Sequence, residues 1–115
     1  MQLSVKEEGD VKVISLEGTE RATVEVAEDF KKALLGMVED GAKKLVVDMK
    51  EQKFVDSSFL GALVAGLRKA MAEGGSLKLS GLRPPVRSMF DLTRLSKVFE
   101  IFESEEEAVR SFSGG

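Results

Sequence analysis

Asp56, Ser57 and Ser58 stand together between the apolar pair Phe54-Val55 and the strongest helical pattern of this 115-residue chain. Aspartate and serine are favoured at helix N-caps, because a side-chain oxygen accepts a backbone N–H that the helix leaves unpaired. A carboxylate and two hydroxyls at a helix start therefore have two uses. They cap the helix, or they offer a hydroxyl for phosphorylation where the helix N-terminus favours added negative charge. The tripeptide alone speaks for capping, since such caps are common.

Other chemistries are narrowed by what the chain lacks. There is no Cys, which excludes disulfides, thiolate catalysis and Cys-ligated metals. There is no His, the commonest general base and transition-metal ligand. A Ser-His-Asp triad cannot be assembled from this chain alone. Asp48 and Asp56, at strand and loop ends, are the pair a divalent ion would use, but carboxylates so placed are ordinarily solvated or capping. No metal and no cofactor are expected. Gly74-Gly75 ends a helical pattern, whereas a phosphate-binding loop opens one, which argues against a small nucleotide-using enzyme.

Charge narrows the partners. The formal net charge is −3 and the chain has no Trp or Tyr, a poor composition for binding nucleic acid. Arg83, Arg87, Arg94 and Lys97 punctuate one segment, and Glu100, Glu103, Glu105, Glu106 and Glu107 crowd the next. Such runs are ordinarily solvated faces. No apolar run nears the roughly 20 residues needed to cross a bilayer, and no signal-peptide pattern is present. A cytoplasmic protein without direct membrane insertion is expected.

The elements that position Asp56 follow from periodicity. Leu3 and Val5 alternate with polar residues, and Val11, Val13, Ile14 and Leu16 supply a second strand across the turn at 7–10. The shift of alternation between Val13 and Ile14 means a bulge or burial on both faces. A helix is predicted over 23–40, with Ala27, Phe30, Leu34, Met37 and Val38 on one stripe and Gly41 as its stop. Leu45-Val46-Val47 reads as a central strand. The helix over 57–73 turns Leu60, Leu63, Val64, Leu67 and Met71 inward. Leu77 and Leu79 mark another strand, Pro84 and Pro85 start a helix, and Val98, Phe99 and Ile101 suggest a last short strand. Ser104 and Glu107 form a capping box for a final helix.

This order implies an α/β fold: one domain over 1–112, with a frayed tail at 113–115. Its sheet is mixed and mostly parallel, of about five strands, with an N-terminal antiparallel hairpin and about four helices. Helix geometry places Ser58 roughly opposite the buried stripe, and Ala62 and Gly66 share that outer side. Small residues there would admit another backbone. Phe59, toward the border, is either an exposed anchor or a core side chain.

With these elements in place, the chain resembles STAS domains of the bacterial anti-sigma-factor antagonist type. The residues that carry the resemblance are Leu45 to Val47, the step Phe54-Val55-Asp56-Ser57-Ser58 with Leu60 and Gly61, Gly18 after the second strand, and Leu77-Lys78-Leu79-Ser80-Gly81-Leu82 followed by Val86, Leu92, Leu95, Val98 and Phe99. It covers nearly the whole chain. The resemblance implies a regulatory binding protein, not an enzyme. In such antagonists the unphosphorylated form binds an anti-sigma factor that is also a serine kinase and so frees the sigma factor. Phosphorylation ends the interaction, and a serine phosphatase resets it.

Carried over by position, Asp56 is the motif aspartate, Ser57 the serine after it and Ser58 the phosphoacceptor, so the surrounding pattern turns the reading of Ser58 from cap to switch. Phe59, Ala62 and Gly66 join Asp56 and Ser57 as the expected partner-facing set. Two positions depart from the family pattern. Phe59 replaces a small residue, commonly Gly, and Thr19-Glu20-Arg21 follows Gly18 where an apolar residue and Asp are frequent. An alternative within the same fold is a non-switching docking subunit of a transport or signalling complex.

Overall fold

The protein is described by a computed structural model over residues 2–113. Strands β1 (Gln2–Glu8) and β2 (Val11–Glu17) form an antiparallel hairpin, paired one to one from Gln2↔Glu17 to Glu8↔Val11. The unbroken register excludes a bulge, so the alternation shift at Val13 and Ile14 reflects burial on both faces. The chain continues through β3 (Arg21–Ala22), α1 (Val24–Glu39), β4 (Lys44–Asp48), β5 (Phe54–Val55) and α2 (Ser57–Ala72). It ends with β6 (Ser76–Ser80), α3 (Pro84–Leu92), a 3-10 turn (Leu95–Lys97), β7 (Ile101–Phe102) and α4 (Glu105–Ser111).

The main sheet has the order β1-β2-β4-β6-β7, and every pairing after the hairpin is parallel. Parallel neighbours need crossover connections, which α1, α2 and α3 supply. The expected α/β class, with five strands, one antiparallel edge and four helices, is what forms. Ile14, Leu16, Leu45, Val47, Leu77 and Leu79 join the core of the long helices, whereas Val11, Val13 and Val46 pack with Ala108 of α4 on the other face. A sheet covered on both sides explains the continuous Leu45-Val46-Val47 run.

Two expectations are corrected, and one pairing is new. Met71 is 62% exposed, because the last turn of α2 is buried through Ala70, whose carbonyl accepts the Gly75 N–H at 2.7 Å. Neither Val98 nor Phe99 is a strand residue: β7 begins at Ile101, and Phe99 folds inward, edge-on to Phe90 at 6.0 Å. A second, two-stranded parallel sheet joins β3 to β5, which periodicity did not suggest. Ser113 closes the last turn by donating its N–H to Arg110, and Gly114 and Gly115 of the expected tail lie outside the described residues.

Candidate functional site

The two-residue ladder of β3 and β5 sets the starts of α1 and α2 side by side. Asp56 donates its N–H to the Ala22 carbonyl at 3.2 Å, which leaves Asp56 extended as the N-cap of α2. Its Oδ1 accepts the Phe59 N–H at 3.0 Å, and its Oδ2 accepts the Val24 N–H at 2.8 Å. Thr23, the N-cap of α1, makes no side-chain cap of its own. One carboxylate therefore caps two helices. The capping reading of Asp56 is real, and it reaches across the fold.

Ser57 and Ser58 are exposed in the first turn of α2, which contains no acidic residue. Ser58 and Gly61 border a groove of about 390 Å³, whose opposite wall is Val24, Ala27, Glu28 and Lys31 of α1. Val24 is 64% exposed. The groove offers an apolar wall, charged groups of both signs and the exposed Ser58 hydroxyl beside the capped start of α2.

The three remaining expected contact residues are placed differently. Phe59 is fully buried and stacks on Phe30 with ring centroids 4.7 Å apart, so it is a core side chain and not an exposed anchor. Gly66 is buried as well: a Cβ there would lie 2.8 Å from Leu34 Cδ1 and 3.1 Å from Leu77 Cδ1. Ala62 lines the groove but keeps only 3% of its surface exposed. The space at Gly66 is filled from within the same chain, by the side chains of Leu34 of α1 and Leu77 of β6. The large ring at position 59 fills the joint between the two helices and leaves Ser58 open.

A neighbouring cleft of about 680 Å³ lies between the Gly18–Arg21 loop, Glu51 and Arg83. Its loop is tied down from the 51–54 segment. Lys53 and Phe54 donate their N–H groups to the Glu20 carbonyl at 2.7 and 3.2 Å. Gln52, buried to 1% exposure, donates its amide to the Leu16 and Thr19 carbonyls at 3.1 and 2.7 Å. Arg21 lies over the Phe54 ring, 4.5 Å from its centroid. Gln52 was not singled out in the sequence, where it is one polar residue in a polar loop and no period marks it.

Asp48 and Asp56 each have their own partners. Asp48 accepts the Ser80 hydroxyl at 2.9 Å and the Lys50 ammonium at 2.8 Å. That hydrogen bond and the Asp48 charge hold the Lys50 ammonium above its ordinary pKa. Among the described residues, no group of three or more carboxylates is placed to hold a metal ion.

The family model described as "Mlab, STAS domain" matches residues 3–102. The chain belongs to the STAS domain family. It is 31% identical to the anti-sigma-B factor antagonist of Bacillus subtilis over 81 residues, 70% of this chain and 73% of that protein. It is 29% identical to the anti-sigma F factor antagonist of Paenibacillus polymyxa over 65 residues, which span only 56% of each chain. The fold matches the anti-sigma factor antagonist SpoIIAA in its unphosphorylated form with a TM-score of 0.84 at 22% identity, covering 99% of this chain and 98% of that one. Against phosphorylated SpoIIAA of Bacillus the TM-score is 0.70 at 21% identity, covering 96% and 99%. No helix among the described residues of this STAS domain is long and apolar enough to cross a membrane.

Proposed function

We propose that this STAS domain is a cytoplasmic anti-sigma-factor antagonist, a binding protein and not an enzyme. Its partner is an anti-sigma factor that is also a serine kinase, and it docks over Ser57, Ser58 and the groove between α1 and α2. Phosphorylation of Ser58 ends the interaction, and a serine phosphatase restores it. The observation that carries this reading is the exposed Ser58 in the first turn of α2, after the Asp56 cap and beside the groove between α1 and α2. The names of the antagonists it resembles, and a fold relative described in both phosphorylation states, support the same reading.

The switch is electrostatic. A phosphate adds about −1.5 to −2 charges. The helix N-terminus tolerates that charge with a benefit of roughly 0.3–1 kcal/mol, so the fold persists. An interface formed over a neutral hydroxyl is less tolerant, because the phosphate must be desolvated against it. A hundredfold loss of affinity corresponds to only about 2.7 kcal/mol. The carboxylate of Asp56 already accepts two backbone N–H groups.

The test is to incubate the protein and its Ser58→Ala variant with ATP and each candidate serine-kinase anti-sigma factor, map phosphate by mass spectrometry and measure kinase binding. Phosphate on Ser58 with loss of binding, and neither change in the variant, is the expected result. If every kinase that binds leaves Ser58 unmodified, the switch is wrong. The groove then serves a constitutive docking subunit, a reading that the tied-down Thr19–Arg21 loop also suits.

A further inference from the structure

The turn that ends α3 presents an apolar and basic surface that the α2 site does not use. Leu92 is 80% exposed and Val98 is 55% exposed, on either side of the turn at Thr93 and Arg94. Arg94 and Lys97 are exposed at the turn itself, whereas Arg83, at the other end of α3, donates to the Lys50 carbonyl at 2.6 Å. The neighbouring carboxylates are already engaged: Asp91 lies 3.5 Å from Arg87, and Glu100 lies 3.5 Å from Lys78. The cationic character of the turn is therefore local and only partly cancelled.

The backbone adds an independent observation. Arg94 has φ 64°, the left-handed conformation that suits glycine. Among the described residues, every other position with positive φ is a glycine: Gly9, Gly18, Gly41, Gly74 and Gly81. At the end of a helix this position ordinarily takes Gly or Asn. An arginine there forgoes local stability and places a cation in the chain between exposed Leu92 and exposed Val98. A broken local rule without a local gain points to function.

We propose that the α3 turn, with Leu92, Arg94, Lys97 and Val98, docks on an anionic lipid bilayer. The cations meet lipid headgroups, and the two apolar side chains enter the headgroup boundary without spanning it. Leu92 at this exposure projects from the surface, whereas a groove for a partner helix would wall it in. A fluid bilayer supplies its own cavity for such a projection. Nucleic acid would match the charge but leave the aliphatic pair without a partner.

The test is co-sedimentation of the full chain with phosphatidylcholine vesicles containing phosphatidylglycerol, against vesicles of phosphatidylcholine alone. Binding to the anionic vesicles, weakened by salt, is expected. Arg94→Gln and Lys97→Gln each reduce it about fivefold, and Leu92→Ser with Val98→Ser reduces it at least as much. Arg94→Gly separates binding from folding: glycine suits the backbone, so the melting temperature holds or rises while binding falls about fivefold. No binding to anionic vesicles, equal binding to neutral ones, or indifference to these substitutions overturns the proposal. Capture by polyglutamate without vesicle binding would assign the turn to an acidic protein partner, and also overturns it.

Discussion

Two helix starts in this protein use the same local grammar and end up doing different things. In α4, Ser104 accepts the Glu107 N–H at 3.1 Å and donates its hydroxyl to the Glu107 carboxylate at 3.2 Å. Glu105, Glu106 and Glu107 fill its first turn with negative charge. In α2, Asp56 takes the equivalent bond from Phe59, but its second oxygen serves Val24, 32 residues away. The first turn of α2 holds no acid, and its third residue is a buried ring where α4 has a glutamate. The start of α4 has a cap made within its own first turn and is electrostatically satisfied. That of α2 is wired into another helix, and beyond the Asp56 cap its first turn carries no further acid beside Ser58.

The sharpest way to break this comparison is to remove each cap. Ser104→Ala is expected to cost about 1 kcal/mol, the ordinary loss of a single cap. Asp56→Ala removes two charge-assisted bonds and should cost about 2 kcal/mol or more. Asp56→Asn, with one acceptor oxygen, should fall between them. Urea denaturation measures all three, and faster amide exchange at Val24 in Asp56→Ala would locate the second bond. Equal losses in the two alanine variants would mean that the bridge to α1 contributes nothing.

The same contrast explains what could be read in the chain. The Ser104 capping box, the hairpin and the ends of α1 were legible because each is written within a few neighbouring residues. So was Asp56 as the cap of α2. Its bond to Val24 was not, because it depends on β3 and β5, each two residues long and too short for a period. Ala62 and Gly66 are buried, not outward, because periodicity marks the stripe that faces the sheet but not the second stripe that α1 covers. Leu34 of α1 occupies the space at Gly66, and Phe30 takes the ring of Phe59. The same helix geometry placed Ser58, Ala62 and Gly66 outside, and only Ser58, in the first turn beyond the cover of α1, is exposed. The partner is not legible in that geometry.

A smaller effect tests the electrostatic half of the comparison. Ser58→Glu places an acid in the empty first turn of α2 and should stabilise the fold by roughly 0.3–1 kcal/mol. Glu106→Gln removes one from the crowded first turn of α4, where Glu106 also pairs with Arg110 at 3.4 Å, and should destabilise by a similar few tenths. Thermal melts at low salt and at high salt would show both changes shrinking together as the charges are screened. A destabilising Ser58→Glu would mean that the α2 start does not welcome negative charge. The phosphate would then act by disturbing the fold, not by spoiling an interface.

The smallest effect belongs to a lysine that only the α4 start has recruited. Lys6 lies 2.6 Å from Glu105, and this hydrogen bond, with the carboxylate's charge, raises the lysine above its ordinary pKa. A lysine whose pKa is higher in the folded state stabilises the fold fully below the unfolded value, near 10.5, and stops doing so as pH rises through the folded value. The stability difference between the protein and its Lys6→Met variant should therefore be flat from neutral pH to about 9 and shrink above about 10.5. Lys50, raised by Asp48, titrates in the same alkaline range but is present in both proteins, so it drops out of the difference. A difference that persists unchanged into strong alkali would show that Lys6 acts through the packing of its aliphatic stem. The start of α4 would then owe its stability to Ser104 and Glu107 alone.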